Sequence, residues 1–380
     1  MKKTGFIFFI LLSLSFFSIN THASEIENEI ISSIENDLSR FEDALPDNVK
    51  EFFPNEIFHG DFSQLINGSI NEKTFLELTA SYLLSGIDTV IKTFSSILLL
   101  IVISSIFSAL SSSLNDSNIK TVFSLCSTLC MAVTVVGICN TLIGNATAHI
   151  KMLNNSMNAF LPIMVTLLTM SGNISSAVIA NGSMLLFISI VDGFLLAFML
   201  PIIKMCLAFG CANSLNDGLD LSGISRTVKS TFTSVTVFVM SIFLFVLSYK
   251  NTLSQSVDTI SLKTARFAIS SFVPLVGSSV NEALRTVSSS LSLIKNSCGI
   301  IAIIAIVVLM LPILINLFLN KLSFSILSSM AKAINSNKEA VLLDEADSIC
   351  TFILTLVACS CVLFIFSLTI FIKTGVGITV

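Results

Sequence analysis

Charged side chains are scarce in this chain, at 12% of its 380 residues, and tryptophan is absent. Histidine occurs three times, at the widely separated positions His22, His59 and His149. Isolated histidines provide neither a metal-ligand set nor a catalytic triad. The Gly-rich phosphate loop, the His-Glu-x-x-His pattern and the Gly-x-Ser-x-Gly pattern are also missing. The sequence therefore predicts a protein that is not an enzyme, with no catalytic residues, no cofactor and no metal site.

Two further classes of protein are disfavoured by what the chain lacks. A basic patch with interleaved aromatic residues is missing, so we expect no nucleic-acid partner. The nine cysteines lie within or beside apolar segments and not in the polar N-terminal region, so a disulfide framework is not expected. Cys126 and Cys130 are one helical turn apart, but no histidine or carboxylate accompanies them at ligand spacing. We interpret them as small packing residues.

Long uncharged runs are what the chain has instead, with 53% hydrophobic residues and a mean hydropathy of +0.91. A crossing helix needs about 20 apolar residues to span a hydrocarbon core of roughly 30 Å. The sequence therefore predicts an all-α, polytopic helical membrane protein whose membrane domain covers residues 93–380. The apolar segments are Thr93 to Leu114, Thr121 to Ile143, Ile174 to Leu200, Thr231 to Ser248, Cys298 to Leu319 and Ile349 to Ile372.

The N-terminus has the pattern of a secretory signal peptide. Two lysines precede an apolar run over residues 5–19, and small residues precede Ser24. We expect cleavage after residue 23; an uncleaved signal anchor is the alternative, although the run is short for a span. Residues 24–92 then form an acidic extracytoplasmic helical headpiece, with 14 Asp plus Glu against 4 Lys plus Arg.

One apolar stripe runs through the first part of the headpiece. Its members recur every three or four residues and predict an amphipathic helix that ends at Pro46. A single apolar stripe cannot bury itself and must pack on another apolar surface. That surface is the apolar patch near Phe52 and Phe53, the membrane body or a partner protein. The members of the stripe are Ile26, Ile30, Ile34, Leu38, Phe41 and Leu45.

The membrane domain contains an internal repeat of about 110 residues, roughly 121–211 and 231–322. Chance similarity between apolar sequences explains shared leucines, but not paired prolines and lysines at a constant offset. We therefore favour duplication, which is common in transport proteins. The matched residues, at offsets of 111 or 112, are Asn140 with Asn251, Lys151 with Lys263, Pro162 with Pro274 and Pro201 with Pro312.

The four prolines of the repeat are candidate hinges. Proline removes a helical hydrogen bond, so we expect a broken stretch at Pro162 with Gly172-Asn173 and again at Pro274 with Gly277, each followed by a helix that ends at the second proline, Pro201 or Pro312. Backbone groups freed in this way must be buried in protein or line a wet cavity. Whether the two copies are parallel or inverted depends on the number of crossings in each, which hydropathy leaves open.

Asp192 is the acid inside a strongly apolar run, Ser183 to Leu200, and it is the first candidate for a transport pathway. Two structural alternatives remain open. The carboxylate could accept a hydrogen bond within the helix bundle, or it could lie at the membrane interface beside Gly193. The second repeat copy has isoleucine at the corresponding position, which argues against a symmetric ion site.

Residues 261–295 are too polar to face lipid and too apolar for a free loop. Such a stretch either lies in the plane of the interface or lines a water-filled path. The candidate pathway or packing residues of this stretch are Lys263, Arg266, Pro274, Gly277, Glu282 and Arg285. Further along, the charged residues from Lys332 to Asp347 are interpreted as a solvated loop before a final helix over residues 349–372.

The stretch from Ser261 to Arg285, together with Ile294 to Gly299, resembles the stage III sporulation protein AE family of endospore-forming bacteria. Its order SLKTARFAISSFVPLVG, then SSVNEALR, then IKNSCG places charges and a proline where hydropathy does not dictate them. The resemblance extends across the membrane body. It continues less specifically into the headpiece through Leu45-Pro46 and Tyr82-Leu83.

The resemblance implies a multi-pass protein of the mother-cell membrane around the forespore. Such a protein is a subunit of a channel or secretion-like complex that sustains late forespore gene expression. It implies other membrane proteins of that complex as partners, and we expect an oligomer embedded in the lipid bilayer. Two alternatives stay open, a stand-alone secondary transporter of a small solute and a passive membrane scaffold for sporulation proteins.

Overall fold

The computed structural model describes residues 34–53, 72–112, 117–190, 193, 197, 200–215, 222–272 and 277–374, and it is helical between short turns. Five helices in this part of the chain are long and apolar enough to cross a membrane, as predicted for a multi-pass protein. We number the helices α1 (residues 34–43), α2 (Asp47–Lys50), α3 (Glu72–Ser112), α4 (Ser117–Met170), α5 (Ile174–Ile190), α6 (Leu200–Leu215), α7 (Ser222–Phe272), α8 (Gly277–Ala333) and α9 (Asn337–Lys373).

The centre of the fold is a long antiparallel hairpin made by α8 and α9. Ser328 donates to Asp344 near the turn, while the Lys295 ammonium reaches the carbonyl of Thr374 at the far end. The two ends of the bundle are named here after the residues that mark them, the Asn335 end and the Thr374 end. Side chains of both helices are buried along the length between those ends.

The other helices pack around this hairpin in alternating directions. Helix α4 runs parallel to α9, because Ser127 contacts Glu339 near one end and Phe160 contacts Phe371 near the other. Helix α7 is also parallel to α9, whereas α3, α5, α6 and α8 run the opposite way. Helices α5 and α6 follow one another along α9 and together make one pass.

Each proposed repeat copy therefore contains one pass in each direction. Helix α4 goes towards the Thr374 end and α5 with α6 returns; α7 and α8 do the same. An even number of passes gives the two copies the same orientation, which answers the parity question for the described helices. The duplication itself stays a prediction from the sequence pairs.

Three of the prolines occupy positions that differ from the expected hinges. Helix α4 continues through Pro162 to Met170, and α8 continues through Pro312 for a further 21 residues. The expectation that a helix ends at Pro312 is therefore wrong, and Pro201 is the second residue of α6 rather than the last of a helix. Pro162 and Pro312 are half-buried among neighbouring helices, and such helices tolerate proline because other groups satisfy the freed backbone. Pro201 is exposed in the first turn of α6, where a proline removes no helical hydrogen bond. The first copy turns at Gly172, within the expected broken stretch, and not at Pro162 itself.

The described part of the headpiece packs on the membrane body. Leu38, Phe41 and Leu45 are buried, and the Phe41 and Phe160 rings meet edge to face at 5.3 Å between centroids. Ser156 of α4 donates to the carbonyl of Ala44 at 3.2 Å. The stripe therefore packs on the membrane body, which is one of the three surfaces considered above. Phe52 and Phe53 are buried as well. The signal-peptide residues lie outside the described residues.

Two turns use the same backbone device. At each, the helix ends with a residue at positive φ, Gly172 at 77° and Asn335 at 63°. Asn173 donates its N–H to Leu168 and Ser336 donates to Ala331, the six-to-one bond of a Schellman motif. Glycine at φ above zero carries no steric cost, while asparagine pays a small one.

Replacing Asn335 should therefore change stability in a direction set by the backbone. We expect Asn335→Ala to lower the free energy of unfolding by about 1 kcal/mol and Asn335→Gly to change it by less than about 0.5 kcal/mol. Chemical unfolding in mixed micelles measures both. Equal losses for alanine and glycine would contradict the assigned left-handed conformation.

Candidate functional site: two buried polar layers

Helix α9 begins with acids, of which Glu339, Glu345 and Asp347 are buried or partly buried and Asp344 is exposed. Glu339, Asp344, Glu345 and Asp347 alternate with Ala340, Leu342, Leu343 and Ala346, and all four of these apolar residues are fully covered by neighbouring helices. The interpretation of this segment as a solvated loop is wrong, because its apolar residues recur at helical spacing and draw it into the bundle. Carboxylates near the start of a helix are also stabilised by the helix dipole.

Glu345 forms a buried ion pair with Lys229 of α7. The ammonium lies 2.7 Å from Oε1, and the side chains are 10% and 12% exposed. Ser225, one turn before Lys229, donates to the same oxygen at 2.6 Å. A buried carboxylate with a cation and a hydroxyl is well satisfied, so this contact fixes the start of α7 against α9.

Glu339 is buried without an observed cation at its carboxylate. It is 5% exposed, and Ser104 of α3 donates to Oε1 at 2.6 Å while Ser127 of α4 approaches the same oxygen at 3.3 Å. Ser104 lies at the middle of the uncharged run from Thr93 to Leu114. A carboxylate held by hydroxyl groups beside an apolar helix is a functional candidate by default.

Gly210 of α6 completes this side of the bundle. A Cβ added there would lie 2.3 Å from Cγ of Glu345 and 3.0 Å from its Cβ. Thiols of Cys139, Cys206 and Cys211 lie within electrostatic range of the same carboxylate. We call the set of residues at the Asn335 end the Glu345 layer; it comprises Ser104, Ser127, Gly210, Ser225, Lys229, Glu339 and Glu345.

A side chain at Gly210 is expected to disturb the ion pair. We predict that Gly210→Ala lowers the free energy of unfolding by about 1 to 3 kcal/mol, because the atoms it meets are near the backbone of Glu345 and cannot swing away. Gly137→Ala on α4 is the matched control, since its added Cβ meets nothing within 4 Å. That control should gain up to about 1 kcal/mol from helix propensity. A similar gain at Gly210 would contradict the close approach.

A second polar layer lies at the Thr374 end. Asp258 of α7 is 3% exposed and caps the start of α5: Ser175 N–H donates at 3.0 Å and Ser176 N–H at 2.9 Å, one to each carboxylate oxygen. The Ser176 hydroxyl donates to Asp258 at 2.7 Å, and its oxygen lies 3.2 Å from the hydroxyl oxygen of Ser254. The carboxylate thus satisfies helix-terminal N–H groups that would otherwise be buried unpaired.

The end of α9 is held in the same layer. Lys295 of α8 is fully buried and donates to the carbonyl of Thr374, where the negative end of the α9 dipole favours a cation. The Thr374 hydroxyl donates to Asn251 Oδ1 at 3.0 Å, and Gln255 donates to that hydroxyl at 3.3 Å. We call the set of residues at this end the Asp258 layer; it comprises Ser175, Ser176, Asn251, Ser254, Gln255, Asp258, Lys295 and Thr374.

The two layers are separated by an apolar, closely packed interior. Glu345 and Thr374 are 29 residues apart on α9, about 43 Å of helix, and residues 349–371 between them carry no charge. The separation suits a hydrocarbon core of roughly 30 Å. Phe187 packs on Phe364 at 4.5 Å and on Phe243 at 5.0 Å in that interval. Cavities there of about 10 Å³ and about 20 Å³ hold one water molecule at most. An open apolar groove of about 440 Å³ also lies in this interval between α7 and α9, beside Met240 and Leu363.

Among the candidate pathway or packing residues predicted from the sequence, Lys263 and Gly277 have described positions, and both lie outside the two layers. Asp192 and Pro274 lie outside the described residues. Lys263 is exposed on α7, and Gly277 is the first residue of α8. The remaining three are on described helices, but the structure describes no contact of their side chains: Arg266, Glu282 and Arg285.

The sequence analysis missed Lys229, Asp258, Glu339 and Glu345. Each lies outside the uncharged runs, so a search for charges inside apolar segments passes over it. Acids that alternate with small or branched apolar residues at three- and four-residue spacing, as around Glu339 and Glu345, were the available indication of burial. Asp258 had no such indication, because its partners are backbone groups 82 and 83 residues away.

Comparisons with known proteins agree with the earlier resemblance. The family model described as stage III sporulation protein AE matches residues 58–375. A protein of Bacillus subtilis (strain 168) described as Stage III sporulation protein AE is 22% identical over 361 residues, which covers 93% of this chain and 87% of that protein. No solved structure matches the chain.

Proposed function

The chain belongs to the stage III sporulation protein AE family, and from that membership we propose that it is a membrane subunit of a channel or secretion-like complex joining mother cell and forespore. In this proposal it sits in the mother-cell membrane around the forespore and is required for late forespore gene expression. The observation that carries the proposal is the family match over residues 58–375, which includes every pass of the described bundle.

The packing of the bundle favours a subunit over a self-sufficient transporter. Leu309, Phe364 and Leu368 are fully buried between the Glu345 layer and the Asp258 layer, and the groove of about 440 Å³ in that interval is open at the surface between α7 and α9. A conduit for cargo, if it passes this protein, then runs between subunits and not through the middle of the described helices. Partner proteins or further copies are needed to enclose it.

The two layers give such a subunit a rigid frame. Each joins at least three helices through buried charges, and breaking such contacts costs several kcal/mol. Rigid helices present constant outer surfaces to neighbours, which is what a membrane subunit of a larger assembly requires. In this proposal the layers position the surfaces and perform no chemistry.

Genetic complementation in the organism that encodes the chain tests the proposal. Deletion should abolish expression of a late forespore reporter and heat-resistant spores, and the wild-type gene should restore both. A Lys332→Ala gene is the matched control, because that lysine forms an exposed pair with Asp344 and its loss should leave the reporter unchanged. Normal reporter expression in the deletion strain would contradict the proposal.

Flux measurements separate the two remaining alternatives. The purified chain alone in proteoliposomes should pass no small solute. Solute flux without partners would favour a stand-alone transporter, and normal sporulation with polar replacements throughout residues 261–295 would favour a passive scaffold.

A further inference from the structure

An exposed apolar stripe runs along α7 on the side away from the bundle. Its residues are separated by four, three, four, four and three positions, which places them on one face of the helix. Such spacing is typical of the seam between two packed helices, and here no described helix covers it. We call it the α7 stripe; its members are Ile242, Val246, Tyr249, Leu253, Val257 and Ile260, which are 40% to 65% exposed.

Helix α7 cannot turn this stripe inward. Asp258 and Ser254 on its opposite face bind the start of α5, and a Cβ at Gly172 would lie 2.8 Å from Leu262. Rotation about the helix axis would break the buried contacts of the Asp258 layer. The stripe therefore stays on the outer face for as long as that layer is formed.

The second half of the stripe extends past the end of α9. Gln255 lies level with Thr374, just past the end of α9, and α7 continues for 17 residues beyond it, about 25 Å. Residues 224–272 contain no proline or glycine, so nothing kinks the helix into the plane of the interface. Val257 and Ile260, 52% and 65% exposed, thus lie on the part of α7 that continues past the end of α9.

Charge beside the stripe has one sign. Lys250 and Lys263 are exposed and flank it, while Asp258, the acid on this part of α7, is buried in the Asp258 layer. A second α7 stripe would bring lysines against lysines, which disfavours pairing between copies. A helix with acidic residues beside its own apolar seam would match both features.

We propose that the outer part of the α7 stripe, from Tyr249 to Ile260, is the docking surface for an acidic amphipathic helix of a partner protein. The partner helix packs its apolar seam on Leu253, Val257 and Ile260 and pairs its carboxylates with Lys250 and Lys263. This inference stands on the geometry of α7 and does not depend on the proposed function.

Designed peptides test the docking surface on the full-length protein in nanodiscs of neutral phosphatidylcholine. The probe is a labelled helix of about four heptads with leucine in the seam and glutamate beside it; its counterpart carries lysine instead of glutamate. We expect the acidic peptide to bind at least about tenfold more tightly than the basic one. The Lys250→Glu/Lys263→Glu variant should reverse that preference, and Ile260→Asn should abolish binding of both.

Controls and alternative occupants decide the interpretation. Lys92→Glu, an equally exposed change on α3, should leave the preference for the acidic peptide intact. Equal binding of the two peptides, or binding of neither, would overturn the proposal. So would stable dimers of the full-length chain that Ile260→Asn dissociates, because a second copy would then be the occupant.

Discussion

Lys229→Met is expected to lower the free energy of unfolding by about 3 to 5 kcal/mol. The change removes the cation from Oε1 of Glu345 and leaves a carboxylate that is 12% exposed with Ser225 as its remaining observed donor. An unpaired buried charge is the most expensive defect that a single substitution makes here. Unfolding in mixed micelles, followed by far-UV circular dichroism, measures the loss.

The double variant Lys229→Met/Glu345→Leu separates a lost attraction from a stranded charge. Because both charges leave together, it should recover more than half of the single variant's loss. Lys332→Ala is the matched control, since that lysine pairs with Asp344 in solvent, with side chains 54% and 51% exposed, and should cost under about 1 kcal/mol. A single-variant loss as small as the control would show that solvent reaches Glu345.

Features of the fold that depend on local sequence could be predicted. Hydropathy predicted the membrane class and most of the crossings, because apolar runs are a local property. The family resemblance is confirmed by the match over residues 58–375. The headpiece stripe was also visible in the spacing of Leu38, Phe41 and Leu45, but the sequence left three possible covers open, and the structure shows that Phe41 packs on Phe160.

Burial of charge was not predictable in the same way. Whether Glu345 is solvated or buried depends on Lys229, 116 residues away, and on the missing side chain of Gly210. Averaging over a window made the segment around Glu345 resemble a loop. Proline did not predict the end of a helix for a similar reason. Packing with neighbouring helices decides whether α8 ends at Pro312 or continues through it, and here it continues.

Direction and pairing of helices were equally beyond local patterns. The repeat predicted two related halves but left their relative orientation open. Contacts of Asp258 with Ser176, and of Lys295 with Thr374, fix the passes as alternating. Long-range polar contacts thus define the directions of the helices, whereas apolar content defines the fold class.

Asp258→Ala is expected to lower the free energy of unfolding by about 3 kcal/mol. The alanine leaves the N–H groups of Ser175 and Ser176 without the carboxylate that now accepts them, at the buried start of α5. Orphaned buried donors cost about 1 to 3 kcal/mol each, and part of that is recovered if water enters. Amide exchange at Ser175 and Ser176 should quicken in parallel, because those protons lose their acceptor.

Graded replacements determine whether the cap, and not the volume of the side chain, is responsible. Asp258→Asn keeps one acceptor and the shape, so about half the loss is expected, and Ser176→Ala removes one hydroxyl bond for about 1 kcal/mol. Asp88→Ala on α3 removes an exposed carboxylate paired with Lys92 and should change stability by less than about 0.5 kcal/mol. If Asn and Ala at position 258 cost the same and exchange at Ser176 is unchanged, the carboxylate does not cap α5. Helix α7 would then be free to rotate, and the exposed position of the α7 stripe would lose its physical cause.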